Sequence, residues 1–330
     1  MQSSQPQRIL AANFACMAAM AFWAVGFPAG EILLESWGTV LLIVIRLVLS
    51  IPLLLLFWYL CDGYSAIKSA PWLQAIGIGG ASFGLGAVLL LFGQKLSDPV
   101  TPAIAAAMMP IAGAVLEVFL DGRRLRLNLV AGILLALGGG FLATGVRLSE
   151  GAFGIGAFVC LISVCLFAWG TRATTRNLQG LSPIGQTTST LIGGLCFNLV
   201  VLTIFLIFGI EGAEVGTLAG NNFFYLLVFA ISSLAIAQFL WIWGAGQMGI
   251  LLASFHMNVV PFYVMVFLVI FFGGIWDWNQ AFGAALVASG VVIAQVFQPA
   301  RSDVQHRRVE APKPAIRNAR TFQPFMWMGS

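Results

Sequence analysis

Long apolar runs, separated by short polar segments, make up most of the chain. About 20 apolar residues cross the hydrocarbon core of a bilayer as an α-helix, and ten runs of about that length can be distinguished. They are Ile9–Ala29, Thr39–Leu60, Trp72–Gln94, Thr101–Leu120, Leu127–Val146, Phe153–Thr171, Ile184–Phe208, Phe223–Ala245, Ile250–Phe272 and Gln280–Phe297. The strands of a transmembrane barrel would instead alternate between apolar and polar residues. The pattern therefore predicts an all-α, polytopic membrane protein with ten transmembrane helices.

The composition supports this class and limits the available chemistry. Of the 330 residues, 60% are hydrophobic and 8% are charged, whereas about 25% of the residues in a soluble domain are charged. The segments between the runs are short, and they hold no nucleotide-binding G-x-x-x-x-G-K-[ST] motif. The five cysteines lie in or beside the runs, which is typical of small apolar core residues. We expect no metal, no disulfide and no cofactor.

Basic residues are concentrated on one side of the predicted helices. That side receives Arg8, Lys68, Arg123, Arg124, Arg126, Arg172, Arg176 and the basic residues of the tail, and the other side receives Lys95 and Arg147. The positive-inside rule then predicts that both termini are cytoplasmic. The basic tail, residues 299–330, could suggest nucleic acid or anionic lipid as a partner. Its short, Pro- and Gln-rich sequence favours a disordered end, so we expect the bilayer, and no nucleic acid, as a partner.

The two halves of the chain align with each other without gaps at an offset of 151 residues. The pairs that carry weight are Gly93 with Gly244, Pro110 with Pro261, Asn128 with Asn279, Gly132 with Gly283 and Gly139 with Gly290. "FWAVG" in the first predicted helix also resembles "FAWG" in the sixth, at a slightly different offset. Each half holds five helices, an odd number, so the second must be inverted relative to the first. We expect one repeat over residues 1–147 and an inverted repeat over residues 148–298.

Two prolines interrupt apolar runs at equivalent places. Pro110 lies in "AIAAAMMPIAG" and Pro261 in "ASFHMNVVPFY". Proline removes a hydrogen bond from a helix, and in a membrane this is tolerated where neighbouring helices or a cavity satisfy the freed groups. Both prolines could therefore mark kinks that line a midplane cavity, where transporters place their substrate sites. A purely structural kink is the equal alternative.

The order of these motifs resembles a known family. "AFWAVG", "GQKLSDPVTPAIAAAMMP" and "FLDGRRLRLNLVAGILLALGGG" are similar to the EamA-type pattern of the drug/metabolite transporter superfamily. The pattern recurs as "GAGQMGILLASFHMNVVP" and "FGGIWDWNQAFGAALVASGVV", so the resemblance covers nearly all of residues 9–298. It implies two inverted five-helix repeats that export small metabolites across the bacterial inner membrane by alternating access. Within the family, the chain most resembles YddG-type exporters of aromatic and other neutral amino acids.

Polar and aromatic residues inside the spans are the candidates for a substrate site. We expect a largely apolar cavity that suits a zwitterion with an apolar or aromatic side chain. The predicted substrate-binding residues are His256, Trp169, Gln238, Trp241, Met108 and Trp23. Trp23 and Trp169 are assigned to equivalent places in the two halves. The alternative for His256 is a buried histidine that only packs.

Arg46 and Glu117 are the remaining ionisable residues that call for an interpretation. An unpaired charge near the centre of a span costs about 2.5 to 3.5 kcal/mol or more, so Arg46 requires a partner or a wet cavity. It either gates or binds a carboxylate, or it bonds to helix-end carbonyl groups, which is the favoured interpretation. Glu117 is one turn from Asp121 and is expected at the cytoplasmic interface near Arg123 or Arg124.

A secondary transporter explains the repeat and the short loops best. An enzyme would require a cluster of His, Asp or Glu, and a channel would require rings of like charge or a carbonyl filter. Neither feature is evident, so we predict no catalytic residues. Because no Asp or Glu lies near the centre of any span, downhill export is favoured over proton-coupled efflux of drugs or metabolites.

Overall fold

The structure, a computed structural model, describes residues 5–96, 102, 105–106, 108–122, 127–144, 155–272, 276 and 278–295. Most of these residues are helical and none of them lies in a β-strand, and all of them belong to the unit Met1–Val296. The prediction of an all-α fold is confirmed. The tail expected at residues 299–330 lies outside the described residues.

Helical segments in the described part of the chain fall into ten groups, numbered α1 to α10. They are α1 (Gln5–Ala24 and Gly26–Leu34), α2 (Thr39–Lys68), α3 (Trp72–Gly79, Gly80–Gly84 and Leu85–Lys95), α4 (Met109–Asp121), α5 (Leu127–Thr144), α6 (Ile155–Asn177), α7 (Pro183–Phe208), α8 (Asn222–Leu227, Val228–Ile236 and Ala237–Met248), α9 (Ile250–Ser254, Phe255–Val259 and Val260–Phe272) and α10 (Trp278–Gln295). Among the described residues, seven of these helices are long and apolar enough to cross a membrane: α1, α2, α3, α6, α7, α8 and α9. The grouping is consistent with the ten predicted spans.

Helices α3 and α8 both widen into a π-helix near their middle, over Gly80–Gly84 and Val228–Ile236. Such segments disturb the regular hydrogen-bond ladder, and they are frequent at functional sites. In a bilayer, groups freed from that ladder need donors from neighbouring helices. Asn198 of α7 donates to Gly84 O over 3.4 Å, and Ser50 of α2 donates to Ala230 O over 2.8 Å. The two irregular segments are therefore held by side chains from adjacent helices.

Glycines set the distance between the helices that meet at the centre. A side chain at Gly244 of α8 would overlap the sulfur of Cys16 in α1, and one at Gly93 of α3 would overlap the sulfur of Cys160 in α6. In α3, a Cβ on Gly79 would overlap the carbonyl oxygen of Thr190 in α7. Small residues allow such close backbone approach in membrane helices, so van der Waals contact holds these pairs together.

The loop between α7 and α8, residues 209–221, covers the start of α2. The first N–H groups of a helix lack partners within it, and here the backbone N–H groups of Val40 and Leu41 donate to Gly212 O over 2.9 and 3.1 Å. The Gly38 N–H donates to Glu214 O over 2.8 Å. Hydrogen bonds from the Gly212 N–H to the carboxylate lower the pKa of Glu214. The loop thus caps α2 through its backbone.

The contact between α3 and α7 predicts that an added methyl group lowers the stability of the protein at one glycine of α3 and not at another. Gly79→Ala should lower the free energy of unfolding by about 1 to 3 kcal/mol, the usual cost of overpacking, because the new methyl group meets backbone that cannot rotate away. Gly77→Ala is the matched control two residues earlier, since a Cβ there has open space. Thermal unfolding of the two purified variants would test this, and equal melting temperatures would contradict the assigned contact.

Candidate functional site

A cavity lies between α1, α2, α3, α6 and α8, with smaller contributions from α4, α7 and α9. Its volume is about 130 Å³, measured as the space open to the centre of a water molecule. Its wall is largely apolar and includes six aromatic side chains. They are Trp23, Phe27, Phe83, Phe167, Phe229 and Trp241. Apolar walls with a few placed polar groups are typical of small-molecule sites.

The aromatic side chains are oriented by contacts with one another and with a hydroxyl group. Trp23 and Phe27 meet edge to face, with 4.9 Å between ring centroids, and Phe83 stacks on Phe167 at 6.3 Å. The indole N–H of Trp241 donates to Thr171 Oγ1 over 2.9 Å. A buried indole normally has such a partner. This bond joins α8 to α6 and fixes the ring at the wall of the cavity.

Arg46 contributes a positively charged side chain to the wall of the cavity. Its Nε donates to Phe229 O over 2.8 Å, and its Nη2 donates to Ser233 O and Ser233 Oγ over 2.9 and 2.8 Å. The guanidinium carbon also lies 4.1 Å from the centroid of the Phe229 ring, a favourable cation–π distance. Bonding to carbonyl groups is therefore present, although these carbonyls belong to the π-helical middle of α8 and not to a helix end. Arg46 faces the cavity as well.

The cavity extends toward one end of the bundle. Its wall runs along α1 to Gly30 and along α3 to Gln94, whose amide donates to Glu31 over 2.8 Å. At the other end of α2, Trp58 is fully buried, and a Cβ on Gly185 of α7 would lie only 2.8 Å from its indole ring. Nearby, Ser182 donates to the carboxylate of Asp62. The described residues are thus packed tightly at the Trp58 end.

The structure brings three of the predicted site residues together. Trp23, Gln238 and Trp241 all line the cavity. The other three lie outside its wall: Trp169 is partly buried against a cluster that includes Ala173 and Leu178, Met108 is half-buried just before α4, and His256 is buried with its Nδ1 3.1 Å from Ala253 O. Whether any of the six binds substrate stays a prediction.

Phe167 takes the place expected for Trp169, and the reason is helix rotation. Gly26 of α1 lies against Ser233, and Gly170 of α6 lies against Ser82. Counting back three residues from each glycine gives Trp23 and Phe167, which both line the cavity. Trp169 is two positions further along, about 200° around the helix, so it points elsewhere. Aligning the final glycines of "FWAVG" and "FAWG" pairs Trp23 with Phe167, whereas aligning the two tryptophans pairs Trp23 with Trp169.

The prolines lie at breaks, as expected, and a methionine at each break lines the cavity. Pro110 is in the first turn of α4, preceded by a turn at Met108, and Pro261 follows the 3₁₀ segment Phe255–Val259 of α9. The cavity wall includes Met109 and Met257. Methionine adapts its shape to irregular space, so flexible apolar side chains line the cavity at both breaks.

The side chain of Glu117, which was expected near the cytoplasmic interface, is buried within the protein. It is 5% exposed, and its carboxylate accepts a hydrogen bond from the Leu251 N–H over 3.2 Å. The first N–H groups of a helix lack partners and attract negative charge, and Leu251 is in the first turn of α9. Arg123 and Arg124, its expected neighbours, lie outside the described residues.

Comparison with known proteins finds a family match in the first half of the chain. The model of the EamA-like transporter family matches residues 10–145. This part of the chain is similar to that family. A solved structure titled "Crystal structure of protein" is 18% identical, with a TM-score of 0.70, and the match covers 86% of this chain and 97% of that one. No curated protein matches the sequence.

This match suggests a membrane transporter of the drug/metabolite transporter superfamily. The family resemblance is therefore confirmed for residues 10–145, which supply the cavity wall from Met20 to Met109. The likeness to the solved structure extends over most of the remaining chain, and at 18% identity it shows the fold alone. The narrower resemblance to exporters of aromatic amino acids stays a prediction.

The cavity geometry predicts which positions water-soluble reagents can reach. In a variant whose five native cysteines are replaced by alanine, Ala87→Cys should react readily with a small cationic methanethiosulfonate, because Ala87 lines the cavity. Ala168→Cys is the control, since Ala168 is fully buried outside the wall. Labelling would be followed by mass spectrometry, and equal reaction at both positions would contradict the assigned cavity.

Proposed function

We propose that the chain is a secondary transporter that exports small metabolites, above all aromatic and other neutral amino acids, by alternating access. The observation that carries this proposal is the aromatic wall around a single charged side chain, Arg46. Aromatic rings bury a large apolar area and favour stacking with other rings. A substrate with a ring or branched apolar side chain and one polar end matches this wall.

The proposed mechanism requires two inverted repeats, and paired contacts support that organisation. Gly26 packs on Ser233 as Gly170 packs on Ser82. Gly244 packs on Cys16 as Gly93 packs on Cys160. Each pair joins the first helix of one proposed repeat to the third helix of the other, so the cavity lies where the repeats over residues 1–147 and 148–298 would meet. Substrate sites of transporters occur at such interfaces.

Rocking of one repeat against the other would expose the cavity alternately to the two sides. In the described arrangement the wall reaches Gln94, while Trp58 and the Asp62–Ser182 contact pack the opposite end. Export would require that second end to open. By the distribution of basic residues, we assign it to the cytoplasmic side of a bacterial inner membrane, with both termini cytoplasmic.

Trp23 and Trp169 provide a matched pair of substitutions for the substrate site. Both are half-buried tryptophans, but only Trp23 lines the cavity. Trp23→Ala should raise the apparent KM for tryptophan counterflow in proteoliposomes by about tenfold, since an aromatic contact is worth roughly 1 kcal/mol or more. Trp169→Ala should change it by less than about twofold. Equal effects of the two substitutions would reject the site.

Downhill transport is the expected energetics. A proton-coupled carrier needs a group that gains and loses a proton as access alternates, and buried carboxylates or histidines usually serve. The described wall of the cavity contains no Asp, Glu or His. Proteoliposomes without an ion gradient should therefore equilibrate labelled substrate. Accumulation above the external concentration under an imposed pH gradient, lost in His256→Ala while exchange persists, would favour proton-coupled efflux instead.

A further inference from the structure

Arg46 places a positive charge at the cavity that its described neighbours do not neutralise. Its three acceptors, Phe229 O, Ser233 O and Ser233 Oγ, are all neutral. The described wall contains no Asp or Glu, and Glu31 accepts its printed hydrogen bond from Gln94. A charge in a low-dielectric site is costly unless an opposite charge or a cluster of dipoles compensates it. Carbonyl dipoles compensate Arg46 only in part, so the cavity favours an anion.

The contacts of Arg46 also determine which part of the guanidinium group stays available. The bonds to α8 use Nε and Nη2, while Nη1 has no partner in the described part of the chain. The Phe229 ring lies against the guanidinium plane, with 4.1 Å between its centroid and Cζ. A guanidinium group held in this way has little freedom left. Its remaining N–H groups can donate to a carboxylate without prior reorganisation.

Gln238 supplies a second donor on the same wall. Its side-chain nitrogen, Nε2, is buried and has no hydrogen-bond partner among the described residues, and the residue lines the cavity. A buried N–H group without an acceptor is destabilising. Gln238 follows Ser233 by five positions on α8, so it and the acceptors of Arg46 are carried by the same helix.

We propose that Arg46 binds the carboxylate of the transported molecule, that Gln238 is the second donor to it, and that the site prefers molecules with a carboxylate to molecules whose only charge is an ammonium group. The proposal rests on the transport function proposed above and names the chemical group that is recognised. An ammonium group in this cavity would meet the charge of Arg46 and no carboxylate from the described wall. The aromatic walls hold the apolar body of the substrate.

Three small molecules that share an indole ring distinguish recognition of a carboxylate from recognition of an ammonium group. Indole-3-propionate carries only the carboxylate, tryptamine carries only the ammonium group, and tryptophan carries both. We expect the purified protein in detergent to bind indole-3-propionate at least as tightly as tryptophan and at least tenfold more tightly than tryptamine, as measured by calorimetry. Affinities for tryptamine and indole-3-propionate within about threefold of each other would overturn the proposal.

Two substitutions in α2 test whether Arg46 is responsible for the preference for a carboxylate. Arg46→Gln keeps a donor but removes the charge, and it should weaken indole-3-propionate binding at least tenfold while tightening tryptamine binding, since the repulsion between the two positive charges is removed. Ser50→Ala is the matched control, because Ser50 also donates to the π-helical segment of α8 but lies outside the cavity wall. It should leave both affinities within about twofold. An Arg46→Gln variant that unfolds no earlier than Ser50→Ala and retains full carboxylate selectivity would reject Arg46 as the binding residue.

Binding without transport distinguishes this proposal from the proposed function. A protein that binds indole-3-propionate through Arg46 but exchanges no aromatic amino acid in proteoliposomes would support the carboxylate site and reject the transport of amino acids. A protein that exchanges tryptophan but binds tryptamine and indole-3-propionate with equal affinity would support the transport of amino acids and reject the carboxylate site. If Arg46→Gln does not fold, Gln238→Leu provides the second test. It should weaken indole-3-propionate binding at least threefold, and unchanged binding would remove Gln238 from the site.

Discussion

The hydrogen bonds from Arg46 to the π-helical segment of α8 are the interaction on which the central structure depends. A charged side chain at the middle of a membrane helix is costly, and so are carbonyl groups released from the helical ladder in lipid. The two requirements satisfy each other here, since the guanidinium group donates to Phe229 O and Ser233 O. The same bonds hold α2 against α8 at the wall of the cavity, which Arg46 lines.

Close packing of small residues complements this polar contact. The glycines at positions 26, 93, 170 and 244 bring the backbones of α1 and α8, and of α3 and α6, to van der Waals distance. Within a bilayer there is no hydrophobic force between helices, so packing and hydrogen bonds decide which helices associate. Contacts between small residues resist the separation of the helices but oppose their sliding past each other only weakly. They are compatible with a bundle that moves as two rigid parts.

The described wall of the cavity combines aromatic rings with a few polar side chains, which differ in their hydrogen-bond partners. Thr171 is used to orient Trp241, and Gln94 is bonded to Glu31. Arg46 and Gln238 retain N–H groups without a described partner. A site of this composition can bind a ring through dispersion and apolar burial while leaving recognition to two donors.

The sequence by itself determined the class and the apolar helical spans, because span length and apolar composition follow directly from the thickness of the bilayer. It also placed Trp23, Gln238 and Trp241 in the cavity wall. The rotation of each helix was decided only by tertiary contacts, since helices that are apolar all round carry no amphipathic signal for the side that faces inward. The contact of Gly170 with Ser82 turns Phe167, and not Trp169, toward the cavity. Likewise, the partners of Arg46 lie more than 180 positions along the chain, and a local pattern cannot identify backbone acceptors that far away.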